Sequence, residues 1–235
     1  MLDVIARKNT SYLPSQIEFS NLDKKMEAAH YLGMTTEAEI DEYMGNHVKW
    51  VATLDDVPNK ELHHPDKMAE AAEYGRTRID RARGRVTDPW GMEFELDATG
   101  FNNLAHPLAG LEDEPELLDR YAAPDLSGGN MDLIFKSAVA DLHRYSGDYL
   151  VYLSGYNGIW EKSYNLVGME DFMCLLLTDP SLACRVMDVI TEYKVAVARE
   201  TGRRGFRIGH YGDDLGTQVS TLVSEEVFLK YFKPR

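Results

Sequence analysis

Cysteine is nearly missing from this sequence: Cys174 and Cys184 are the only two in 235 residues, and they do not form a paired metal-binding pattern. Both fall in apolar helical text, where a free thiol behaves as a small hydrophobe. Neither a disulfide nor a cysteine-built metal site is expected. Long apolar runs are missing as well. Nothing approaches the roughly 18 residues that a membrane-spanning helix needs, and the opening stretch MLDVIARKNTSYLP lacks a signal peptide's apolar core. The expectation is a cytoplasmic protein with no membrane partner. Basic charge is scarce: 25 lysines and arginines face 39 acidic residues, for a net charge of -14. That balance opposes non-specific attraction to nucleic acid, so no nucleic-acid partner is expected. The one dense basic stretch, Arg76, Arg78, Arg81, Arg83 and Arg85, reads either as a solvated helix face ending at Gly84 or as a grip on phosphates.

What is present is a globular composition, 44% hydrophobic, enough to bury a sizeable core. There is no internal repeat. Ser15 to Ser20 alternates apolar Ile17 and Phe19 with Gln16 and Glu18, which predicts a strand. Thr36 and Glu39 fit a capping box opening a helix toward Gly45. Residues 51–100 are harder to place: prolines at 58, 65 and 89, a helix-like stretch from Lys67 to Tyr74, and a hairpin around Asp88 to Leu96. Asn130 to Tyr145 has helical spacing, and Tyr149 to Ser154 reads as a strand covered on both faces. A loop at 155–158 and a helix from Met169 to Leu177 follow. Asp179 and Pro180 then open a long helix that buries Leu182, Val186, Val189, Tyr193 and Val197. A strand is predicted from Phe206 to Tyr211, and Ser224 caps a last helix with Glu225 and Glu226 in its first turn.

This alternation is the rhythm of a parallel α/β protein. Polar and aromatic residues cluster just after its apolar strands, at the edge where such folds bind ligands. They are Tyr156, Asn157 and Trp160 after one strand, and His210, Asp213, Asp214 and Gln218 around the next. Adjacent carboxylates at a strand end repel unless a ligand, a metal or a hydrogen-bonding partner offsets the repulsion. Asp213 and Asp214 therefore either act on a ligand, or one caps the turn while the other is solvated. His210 reads equally as a satisfied strand-end histidine or a working one. Tyr156 and Trp160 read either as an apolar wall for a flat ligand or as packing beneath a loop.

The segment GDDLGTQ (212–218), followed by VSEEVFLKYFKP (223–234), resembles the strand-turn-helix of the uroporphyrinogen decarboxylase superfamily, which includes corrinoid- and cobalamin-dependent methyltransferases. Glu225 stands where that family usually has proline. DPWG (88–91), His106-Pro107, YAAPD (121–125) and GMEDFMCLLLTDP (168–180) resemble family segments in the same order. The resemblance covers about residue 85 to the end. It implies a partial (β/α)8 TIM barrel of the uroporphyrinogen decarboxylase-like type, with an N-terminal extension and first barrel elements over 1–85 and a barrel segment over 86–235. Eight βα units need about 250 residues, so the chain is expected to hold about half the strands. Unpaired sheet edges then imply a homo-oligomer or a complementary, barrel-completing subunit.

The resemblance also implies site roles. Asp213 and Asp214 would be catalytic, orienting or protonating a leaving group, while Tyr156, Asn157, Trp160, Tyr164, His210 and Gln218 would contact substrate. The decarboxylases themselves carry N-terminal arginines for the substrate's carboxylates. Here Gln16 and Glu18 occupy that strand, which suits poorly a tetrapyrrole bearing eight carboxylates; Glu18 reads either as a contact to a cationic or hydroxylated small molecule or as a structural hydrogen-bond partner or surface residue. Thiol-methylating relatives hold zinc through an H-x-C pair and a later cysteine, none of which this chain contains in that place. The resemblance thus implies a methyltransferase working on a small donor with a corrinoid, zinc being supplied by no residue present. The alternatives are a porphyrin-forming decarboxylase, in which Asp213 steadies a protonated pyrrole, and a non-catalytic subunit.

Overall fold

The computed structural model describes residues 2–8, 14–19, 22–54, 69, 72–73, 77–96, 103–155 and 157–235. In chain order its elements begin with α1 (Leu2–Ile5), α2 (Leu22–Tyr31), α3 (Glu37–Met44) and β1 (Val48–Val51). Four short strands follow: β2 (Arg78–Asp80), β3 (Arg85–Thr87), β4 (Glu93–Glu95) and β5 (Asn103–Ala105). Then come α4 (Glu116–Arg120), α5 (Asn130–Tyr145), β6 (Leu150–Gly155), α6 (Ile159–Val167), α7 (Met169–Thr178), α8 (Pro180–Arg203), β7 (Gly209–Tyr211) and α9 (Glu225–Val227), which runs on into a π-helical turn over Phe228–Phe232.

The protein is a mixed α/β fold with two sheets. β1, β6 and β7 form a parallel sheet in that order, so its strands lie side by side as the chain meets them. Period-two alternation divides its faces: Val51, Val151 and Leu153 enter the core with Ile134, Phe135 and Ala138 of α5 and the buried stripe of α8. Truncating a core side chain such as Leu153 to alanine costs about 2–5 kcal/mol. On the other face Leu150 and Tyr152 are only half-buried. Ser154 on that face is buried, so the strand is covered on one face and partly covered on the other; the first face is apolar, the second aromatic and polar.

The second sheet, β2-β3-β4-β5, is antiparallel throughout; its β3–β4 pair is the hairpin expected around Asp88 to Leu96, while β2 and β5 were not anticipated. Asp88 makes its central turn, accepting the N–H groups of Trp90 and Met92 at 2.9 Å each, and β3 and β4 pair Val86 with Phe94 in the core. The arginine stretch is corrected here. Arg78 and Arg85 belong to strands and Arg81 and Arg83 to the turn between them, not to a helix face; Arg76 lies outside the described residues. Arg83 pairs with Asp80 and Arg85 with Glu93. β3 runs across position 85.

Local signals place most other elements. Thr36 caps α3 with a complete capping box, and Gly45 closes it at φ +61°. Asp179 caps α8 through the Leu182 N–H at 3.0 Å, with Pro180 in the first turn, and Ser224 caps α9. The strand expected from Phe206 shortens to Gly209–Tyr211, with Phe206 buried in the core instead. The strand expected at 15–20 is also corrected: residues 15–19 join no sheet and Ser20 lies outside the described residues. Their backbone is held by one backbone bond, the His47 N–H on the Ser15 carbonyl at 3.1 Å, and by the Asn46 side chain, with the Ile17 N–H on Asn46 Oδ1 at 2.7 Å and Asn46 Nδ2 on the Ile17 carbonyl at 3.0 Å. Ile17 is 50% exposed, so no apolar face exists to fix a strand. The helix expected over 67–74 lies largely outside the described residues, as do Pro58 and Pro65. No helix among the described residues is long and apolar enough to cross a membrane.

Candidate active site

The segments carrying the family resemblance converge in space. A β-carbon on Gly91 would touch Pro107 at 3.6 Å, the Tyr121 hydroxyl donates to the Trp90 carbonyl at 2.9 Å, and the Leu108 N–H donates to the Leu166 carbonyl at 2.8 Å. These contacts brace the antiparallel sheet against α6. They are structural, and they fix the helix that carries the acidic chemistry.

α6 begins without a capping side chain of its own, because its N-cap is Gly158. The cap comes from the loop after β7: Asp213 accepts the Trp160 N–H at 2.8 Å on one oxygen and the Glu161 N–H at 2.9 Å on the other. The Gly158 N–H donates to the Gly212 carbonyl at 2.8 Å, so the loops after β6 and β7 are stitched together. Glycine is required where they meet, since a β-carbon on Gly158 would lie 2.4 Å from Asp213 Cγ, and one on Gly155 would lie 2.4 Å from the Tyr211 ring.

Three carboxylates thereby gather at the ends of two adjacent parallel strands. Glu161 stands in the first turn of α6 with its own N–H on Asp213 at 2.9 Å, and its carboxyl is raised above the ordinary range, first by burial and then by the charge of Asp213. Asp213 presents much of its surface to solvent, but its carboxylate points into the helix end. Burial there raises it, against the opposing N–H bonds from Glu161 and Trp160 and the positive charge of Lys194. The Tyr164 phenol, one turn along α6, is pushed up to about 12 by burial and then by Glu161, Asp213 and Asp214. A site of this kind holds protons that isolated carboxyls would release.

The structure sorts the expected residues. Asp213, Asp214 and Tyr164 come together. Asn157 adopts a left-handed backbone, φ 55°, in the loop leading to α6, and Tyr156 lies outside the described residues. Trp160 is corrected: it is 0% exposed and packs against Tyr164, Phe172 and Phe232, with ring centroids 5.5–5.9 Å away. It is a core residue and walls no ligand, because α6 turns that side inward. Gln218 stands at the tip of a turn closed by the Thr217 N–H on the Ser220 carbonyl at 2.7 Å, beside Val219, which is 92% exposed. His210 and Glu18 belong to a different surface, the aromatic and polar sheet face. There His210 Nδ1 lies 3.5 Å from Ser154 Oγ, and Gln16 Nε2 bridges Glu18 and the Tyr152 hydroxyl.

Glu161 and Lys194 were missed by sequence reasoning, as was α6. Ile159, Trp160, Ser163, Leu166 and Val167 have helical spacing that could have revealed the helix, but its start signal lies 53 positions downstream in Asp213. Among the described residues no group of three or more His, Cys, Asp or Glu is placed to hold a metal. Cys174 and Cys184 are free thiols on α7 and α8. Trp160, being in the core, offers no surface to a flat ligand. The sequence matches no model of a known protein family and no curated protein.

Proposed function

We propose that the chain contributes consecutive staves of a uroporphyrinogen decarboxylase-like (β/α)8 barrel to an enzyme, most nearly a methyltransferase, that protonates a leaving group on a small methyl donor. The barrel reading is supported by three parallel strands adjacent in chain order, flanked by helices, with ionisable groups after the ends of two of them. β1 and β7 each have one strand neighbour among the described residues. Their outer edges suit completion of the ring by further strands, of a second copy or of a complementary subunit.

One observation carries the chemistry: Glu161 is held beside Asp213 at the start of α6, its N–H on the Asp213 carboxylate at 2.9 Å, and its carboxyl is raised by burial and then by Asp213. As a methyl carbon leaves its heteroatom for an incoming nucleophile, the heteroatom keeps the bonding pair and takes the proton of Glu161. Such a positioned acid is worth about 10²–10⁴-fold in rate. The resemblance makes the methyl acceptor a corrinoid, and the chain's own share is the acid.

Titration with methylcobalamin, followed by visible absorbance, and incubation with uroporphyrinogen, followed by product analysis, test this reading. A saturable absorbance change with methyl transfer that Glu161→Gln abolishes supports it. Decarboxylated product assigns the protein to the decarboxylases instead, and no change with either compound overturns it.

A further inference from the structure

We infer that the aromatic and polar face of the parallel sheet is a subsite for an organic cation of diffuse charge, a methylated ammonium group. The inference rests on the proposed reading only in taking this face as the one that substrate approaches. Strand register places Trp50 beside Tyr152 and Ser154 beside His210, all on the side away from the core residues Val151 and Leu153. Tyr152 and His210 meet edge to face with ring centroids 6.0 Å apart. Parallel sheets are ordinarily covered by aliphatic side chains on both faces; this face carries rings and hydrogen-bonding groups instead.

Glu18 sets the sign of the ligand. It shares the Gln16 amide with the Tyr152 hydroxyl, and its charge contributes to raising the Tyr152 phenol, behind burial as the main cause. An amide does not neutralise it, and among the described residues no lysine or arginine pairs with it. The opposite side of the sheet makes the contrast. There Lys49 lies over the Tyr145 ring at 4.3 Å, Lys194 over Tyr211 at 5.5 Å and Arg204 over Phe135 at 4.9 Å. Among the described residues no cation stands over Tyr152, although a carboxylate is fixed beside it. A ring with an adjacent anion suits a weakly hydrated cation, attracted by the ring face and the carboxylate together. The net charge of -14 draws such ligands toward the protein.

Calorimetric titration with choline and with its neutral carbon isostere, dimethylbutanol, tests the inference on the wild type, Glu18→Gln, Tyr152→Leu and Glu161→Gln. Choline should bind saturably to the wild type and to Glu161→Gln alike, and roughly tenfold or more weakly to Glu18→Gln and Tyr152→Leu, with the isostere weaker by a similar factor. Absence of saturable choline binding, equal binding of the isostere, or wild-type affinity in Glu18→Gln would overturn it. Because the choline arm reads Glu18 and Tyr152 while the methyl-transfer arm reads Glu161, failure of the acid and failure of the cation site are told apart.

Discussion

Asp213 stands where a side chain at residue 158 would begin: its Cγ lies 2.4 Å from the position of a β-carbon on Gly158. Gly158 has an ordinary φ of -63°, so alanine there is opposed by Asp213 and not by backbone strain. Gly158→Ala should cost about 1–3 kcal/mol, and Asp213→Ala about 1–2 kcal/mol through loss of the α6 cap. Together they should cost less than their sum by roughly 1 kcal/mol. Urea unfolding of the four proteins of this cycle measures the coupling, and strict additivity refutes the interlock.

Glu161 makes stability depend on pH with a definite sign. Its carboxyl is raised in the folded state above an ordinary value of 4.5, so the folded protein binds that proton more tightly than the unfolded chain. The contribution is complete below the ordinary value and is lost as pH rises through the higher folded-state one. Glu161→Gln should therefore gain stability relative to the wild type as pH is raised from about 4 to about 8. A constant difference across that range would show that Glu161 is not held in a shielded, acidic setting.

The Tyr164 phenol should ionise well above an ordinary tyrosine, at about 12. Ultraviolet titration of phenolate absorbance, compared with Tyr164→Phe, isolates it. In Glu161→Gln the transition should move down, since Glu161 is the largest charge acting on that phenol after burial.

Trp160 should matter to stability and not to ligands. With its side chain 0% exposed among three aromatic neighbours, Trp160→Ala should cost about 3–5 kcal/mol. The milder Trp160→Phe should leave choline affinity and methylcobalamin titration unchanged. Weakened binding in a well-folded Trp160→Phe protein would return the indole to the ligand site.

Elements with their signals inside themselves were legible in the sequence. Thr36 with Glu39, Asp179 with Pro180, and Ser224 each cap the helix they immediately precede. The acidic turn after β7 was legible as a place, because two adjacent aspartates invite an explanation. What it does was not: Asp213 serves a helix 53 positions earlier, and no local pattern encodes that distance. Residues 15–19 alternate like a strand yet meet no strand, because Asn46 already holds the backbone of Ile17. Of the antiparallel sheet only the hairpin around Asp88 was legible; the outer strands β2 and β5, of three residues each, are too short for periodicity to declare them.

The distant cap has a kinetic consequence. α6 cannot have its first amide hydrogens satisfied by a carboxylate until the chain has been made past residue 213 and β7 has docked beside β6. Long-range closure of this kind is slow. Glu161 should thus gain its working orientation among the last events of folding, and protection of the Trp160 and Glu161 amides from hydrogen exchange should appear later than that of α8, whose own cap lies next to it in sequence.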